Sequence, residues 1–126
     1  MTNPSGKRFP RRGSVFLVNL NPTLGSEIRK TRPAVILQND IGNQYSSTTI
    51  VAPITSGEEA IFPVEVAVQP PEGGLANPSL ILLSQIRTID KRRLVKKLGE
   101  LSADTMARVD RAALISLGLA DEVRKQ

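Results

Sequence analysis

The 126-residue sequence contains neither cysteine nor histidine. Without cysteine there is no disulfide framework, no thiol nucleophile and no zinc knuckle, which fits a reducing cytosol. Without histidine the chain lacks the side chain whose ordinary pKa suits acid and base work near neutrality. Serine or threonine nucleophiles of the usual triad type are left without their base. Aromatic residues are scarce: three Phe, one Tyr and no Trp. Broad base-stacking platforms are therefore not available. No apolar run approaches the ~20 residues needed to cross a bilayer, and the first residues hold no apolar signal core. A soluble, cytoplasmic protein without a membrane partner is the expectation. Glycines are present, but Gly73 and Gly74 stand in a proline-rich connection and Gly42 is alone. Neither arrangement makes a phosphate-cradling loop between strand and helix. Asp40, Glu58, Glu59 and Asp90 do not fall into a calcium-loop spacing, so no metal is expected.

Seventeen Lys and Arg against 12 Asp and Glu give a formal charge of +5. That excess suits a polyanionic partner, although a solvated basic face is the commoner reason for such a surplus. The length suits one domain with one core. "MTNPSGKRFPRRG" has Pro, Gly and basic residues without an apolar period, and is expected to be a flexible basic arm over residues 1–12. The single domain is expected over 13–119, with a tail at 120–126.

Short β-rich apolar runs follow one another. "SVFLVNL" (14–20) ends at the turn chemistry of Asn21, Pro22 and Gly25. Pro33 bars Arg32 from helical geometry, so "PAVILQ" reads as a buried strand with Arg32 where a loop enters the sheet, and "NDIGN" as the turn that ends it. Residues 48–52 are β-branched and apolar, and "PIT" carries that strand to its boundary at Thr55. "VEVAV" (64–68) and "SLILLSQIRTI" (79–89) read as further strands, with "QPPEGGLANP" an exposed connection between them. "DKRRLVKKLGEL" reads as a surface strand or turn with solvated basic residues. Ser102 offers a cap, and Met106, Val109, Ala113 and Leu117 recur at helical spacing, predicting one amphipathic helix over 103–117. The expected fold is mainly β: five to seven short antiparallel strands forming a small barrel, closed by a C-terminal helix. Turns this short exclude a doubly wound α/β plan.

The chemistry left to such a chain gathers in "GSEIRKTRPAV" (25–35). Arg32 at the mouth of a sheet can donate paired hydrogen bonds to a phosphate and stabilise the extra charge of a phosphorane-like transition state. Thr55, at another strand end, can add a hydroxyl donor. Glu27 can either orient Arg32 or accept a proton from an attacking hydroxyl. An ordinary surface ion pair is the alternative. With RNA as substrate the ribose 2′-hydroxyl supplies the nucleophile, so neither metal nor imidazole is required. Base reading would then rest on amides such as Gln38, Asn39 and Gln85 more than on stacking.

G-S-E followed by R-P-A-V, then Q-N-D-I-G-N, V-A-P-I-T and Q-I-R-T-I-D, in this order from about Arg12 to Leu119, resemble the MazF/PemK/Kid family of toxin endoribonucleases. The resemblance implies a small SH3-like antiparallel barrel of the MazF/CcdB/Kid type and a homodimer. It also implies metal-independent, cofactor-free cleavage of single-stranded RNA that leaves a 2′,3′-cyclic phosphate and a 5′-hydroxyl. It implies an acidic cognate antitoxin as partner. The family's catalytic arginine and threonine fall on Arg32 and Thr55, Glu27 takes a catalytic or substrate-contacting role, and Ser26, Arg29, Lys30 and Gln85 become candidate RNA contacts. The chain departs from the pattern at Ser14, where many members carry an acid, and at Ser84, where some carry glutamate. It also has no histidine before "VEV". A toxin of the same fold that grips a topoisomerase without catalysis is the alternative; retention of Arg32 and Thr55 argues against it.

Overall fold

A computed structural model describes residues 9–120. Residues 1–8 of the expected arm and 121–126 of the expected tail lie outside the described residues. Seven strands form one sheet: β1 Ser14–Asn19, β2 Thr31–Ile36, β3 Thr48–Ser56, β4 Glu65–Val68, β5 Ser79–Leu82, β6 Arg87–Asp90 and β7 Leu94–Glu100. Their order is β4-β5-β3-β2-β1-β7, with β6 pairing β3, and every pairing is antiparallel. Among the described residues no ladder joins β4 to β7, so the expected barrel is an open one. Two helices complete it, α1 Asp40–Tyr45 and α2 Ala103–Ser116.

Successive residues of a strand face opposite sides of a sheet, and this sheet buries both. Val35, Ala52, Ile54 and Ile81 join one apolar cluster, into which α2 inserts Val109 and Ala112. Ala34, Ile36 and Val51 join a second with Val18, Leu20 and Ile89. Two-sided burial is why "PAVIL" is continuously apolar instead of alternating. Phe16 is half-buried against the second cluster. At the start of α2 the Ser102 hydroxyl accepts from Thr105 N at 3.1 Å, as its capping chemistry predicts. The helix ends at Ser116, and Leu117, placed by spacing on the apolar stripe, is exposed.

Three expectations are corrected. "NDIGN" is not a simple turn: Asn39 accepts from Gly42 N at 2.8 Å and caps α1, a helix of six residues and too short to show an apolar period. "SLILLSQIRTI" is not one strand, because a 3₁₀ turn at Leu83–Gln85 divides β5 from β6 and lets the two pair different parts of β3. Arg32 stands where the loop enters the sheet, as expected, as the second residue of β2 and opposite Val18. "QPPEGG" is not merely an exposed connection. Gly73 is buried, and Gly74 (φ 72°) lies so close to β7 that an added Cβ would meet the Leu98 carbonyl oxygen at 2.0 Å.

Candidate active site

β2 and β3 pair through Ala34↔Pro53, Val35↔Ala52 and Ile36↔Val51. Continued by two residues, the same register sets Arg32 opposite Thr55, on neighbouring strands that run about 4.8 Å apart. Pro33 and Pro53 stand where the ladder stops. Neither has an N–H to extend it. Past that point β3 turns to β5, pairing Thr55 with Leu80.

Arg32 and Thr55 line one groove of about 340 Å³, whose other walls include Ser56, Gly74, Asn77, Ser79 and Leu98. Both side chains are half-buried. Arg32 Nε donates to the Arg29 carbonyl at 2.7 Å, which fixes the plane of the guanidinium and turns its other nitrogens away from that contact. A phosphate in this groove would meet a fork of charged donors with a hydroxyl from the next strand. The Gly74 approach to β7 forms the wall opposite, where a side chain would not fit.

Glu27, Ser26 and Gln85 line a different, larger groove of about 880 Å³, together with Leu24, Ser84 and Arg87. Glu27 Oε1 accepts from Leu24 N at 2.7 Å, closing its own turn. Gln85 Oε1 accepts from Ile28 N at 2.7 Å, so the amide of the 3₁₀ turn clasps the β1–β2 loop while its residue lines the groove. Arg29 and Lys30 are exposed on the segment between the two grooves.

Gln38 and Asn39 lie past the opposite end of β2 and line neither groove. Gln38 Nε2 donates to Asn43 Oδ1 at 3.1 Å and to the Thr48 carbonyl at 2.9 Å, while the Asn39 oxygen is spent on the α1 cap. The buried Asn43 also accepts from Thr49 Oγ1 at 2.7 Å. The sequence offered no means of telling these amides from ones that face outward.

The groove also takes Asn77, from the connection expected to be solvent-exposed, and Ser79, the first residue of the strand expected after it. The turn residues of "ANPS" between two strands are the only signal they carry. Among the carboxylates, Asp90 is held down to about 2 by hydrogen bonds from Arg92, and lies outside both grooves. Burial pushes Glu72 upward, but the Ser102 N–H, the hydroxyls of Thr105 and Ser102, and Arg108 outweigh it and hold Glu72 below its ordinary range.

Comparison with known proteins places the chain in a family. Residues 11–117 match the model of the PemK-like, MazF-like toxins of type II toxin-antitoxin systems. The chain is 52% identical over 110 residues to an endoribonuclease MazF of Staphylococcus epidermidis, a match spanning 86% of this chain and 92% of the relative. A crystal structure of MazF from Deinococcus radiodurans superposes with a TM-score of 0.76 at 28% identity, over 87% of this chain and 97% of that one. A mycobacterial endoribonuclease solved with its cognate antitoxin superposes at 0.73 and 25% identity, over 88% and 97%.

Proposed function

Since the chain belongs to the PemK-like, MazF-like family of toxins of type II toxin-antitoxin systems, we propose that it cuts single-stranded RNA without a metal, using the ribose 2′-hydroxyl as nucleophile. The endoribonuclease activity is that of the family; the route is our reading of this site. One observation carries it: Arg32 and Thr55 share a groove with no histidine anywhere in the chain.

The 2′-oxygen attacks the adjacent phosphorus, the P–O5′ bond breaks, and the 2′,3′-cyclic phosphate remains on one fragment. The 2′-hydroxyl proton leaves to a base, and the departing 5′-oxygen gains a proton to become a 5′-hydroxyl. Arg32 and Thr55 donate to the non-bridging oxygens, whose charge grows as phosphorus becomes five-coordinate. Each donor so placed is worth about 10²–10³ in rate. Glu27 lines the neighbouring groove with its carboxylate on Leu24 N, which favours substrate contact over proton transfer. Ser26, Arg29, Lys30 and the NH₂ of Gln85 grip the flanking nucleotides. Gln38 and Asn39 belong to the fold. The same basic surface takes an acidic antitoxin, in keeping with the mycobacterial relative solved with its cognate antitoxin, and the working form in this reading is a homodimer.

The test is cleavage of one long transcript in excess chelator, with both new ends identified. The expected ends are a cyclic phosphate and a 5′-hydroxyl. A 5′-phosphate, or a need for magnesium, overturns the route.

A further inference from the structure

Among the described residues Lys30 alone, apart from glycines, has a positive φ, at 75°. A left-handed conformation costs a side-chain-bearing residue about 1–2 kcal/mol, and such an outlier persists only where its surroundings hold it. Its neighbours hold it. Lys30 N donates to Asn21 Oδ1 at 3.2 Å, and the Lys30 carbonyl accepts from Leu20 N at 3.1 Å. Asn21 N in turn donates to Asn19 Oδ1 at 3.1 Å. These contacts tie the two ends of the β1–β2 loop into a neck. Arg93, more than seventy residues along the chain, reaches that neck with one guanidinium nitrogen, donating to the Asn19 carbonyl at 3.1 Å and also to the Asn21 carbonyl. Directly after Lys30 and Thr31 comes Arg32, whose Nε is bonded to Arg29 O, the carbonyl that precedes Lys30.

We infer that Arg93 and Asn21 are positioning residues for Arg32. Arg93 fixes the Asn19 and Asn21 carbonyls, Asn21 fixes the left-handed turn at Lys30, and that turn aims the Arg29 carbonyl on which the Arg32 guanidinium is seated. Neither residue lines the groove of Arg32 and Thr55. This assignment rests on the reading that Arg32 acts on the scissile phosphate, and it adds to that reading the source of the guanidinium's orientation. It also separates Arg93 from its neighbour Arg92, whose guanidinium pairs with Asp90 and points to no loop carbonyl.

The full-length protein is compared with Arg93→Ala, Asn21→Ala, Arg92→Ala and Arg32→Ala, using one oligonucleotide substrate under single- and multiple-turnover conditions. Misplacing a catalytic group by about 1 Å costs up to ~10²-fold. Arg93→Ala and Asn21→Ala should therefore each lower kcat ~10–100-fold while KM moves less than ~3-fold. Arg92→Ala removes the same charge as Arg93→Ala and should leave kcat within ~2-fold of the parent. Placed on Arg32→Ala, the Arg93→Ala change should cost less than ~2-fold further, because residues acting as one unit are not additive. Independently of activity, the Arg32 Nε–H should give a slowly exchanging NMR signal in the parent and lose that protection in the Arg93→Ala and Asn21→Ala proteins. Asn21 is exposed, so its variant remains folded even where Arg93→Ala does not. Unchanged kcat in Asn21→Ala, an equal loss with and without Arg32, or an unaltered Nε–H signal would overturn the positioning role. Normal cleavage by Arg32→Ala would instead remove Arg32 itself, a result that no outcome at Arg93 can mimic.

Discussion

The two ends of β2 are built from similar residues and do opposite things. At the far end, Gln38, Asn43, Thr48 and Thr49 exchange hydrogen bonds in a network centred on the buried Asn43 and Thr49. At the near end, Arg32 has its Nε on Arg29 O and lines the groove it shares with Thr55. A polar group satisfied inside the fold contributes to stability, whereas one held in place but incompletely partnered can bind. The difference lies in what surrounds the side chain rather than in its chemistry.

The largest expected effect breaks the near end. Arg32→Ala should lower cleavage by about 10²–10³-fold or more, with a melting temperature close to the parent's. A near-normal rate in that variant would erase the contrast. Next in size is the far end. Asn43→Ala strips a buried network of its centre and should cost about 2–4 kcal/mol by denaturant unfolding, while the fraction still folded cuts at the parental positions. Loss of cutting without loss of stability would show that this corner also serves the reaction.

The two glutamines sharpen the comparison. Gln85→Ala should raise KM several-fold and blur the cut-site preference, with a stability cost of about 1 kcal/mol for the lost Ile28 contact. Gln38→Ala should do the reverse, costing about 1–2 kcal/mol and leaving the mapped cut sites unchanged. Site mapping and urea unfolding of both variants check this, and a changed site preference in Gln38→Ala would bring the far end back into RNA recognition.

How much of this was legible in the sequence follows the same division. Pro33 forces extended backbone onto Arg32, and turn residues mark Thr55 as a strand end, so both were found from local rules. The helix α1 was hidden because six residues with a glycine inside show no period. Gln38 and Asn39 were read as outward amides because no local rule distinguishes an amide that caps a helix from one that reads a base. Arg93 was taken for part of a solvated basic run, since the carbonyls it serves lie more than seventy positions away. Asn77 and Gly74 sit in a segment whose prolines and glycines signal exposure, and Ser79 opens a strand whose sequence carries no sign of a groove. Contacts distant in sequence, not propensities, supplied what was missing.

Two smaller effects lie beyond either end. Gly74→Ala puts a Cβ against the Leu98 carbonyl at a left-handed position and should cost about 2–4 kcal/mol, narrowing the Arg32 groove from its opposite wall. Acid should act in part through Glu72, whose carboxylate holds Ser102 N at 2.8 Å at the start of α2, beside the exposed Asp90 and Glu100, whose pKa values are lowered too. The pKa of Glu72 is lowered in the fold, so the stabilisation is present above the ordinary carboxylate range and is lost as pH falls through the folded value. The melting temperature should therefore drop by a few degrees between about pH 5 and pH 3. A rise over that interval would reverse the sign assigned to Glu72.

The central claim is that Arg32 and Thr55 act on a phosphodiester whose nucleophile comes from the RNA. It is tested most directly by replacing the single ribose 5′ of a mapped cut with 2′-deoxyribose, leaving every other position unchanged. Cleavage at that position should vanish while other cut sites in the same transcript persist. Cleavage there at the original rate would contradict the account.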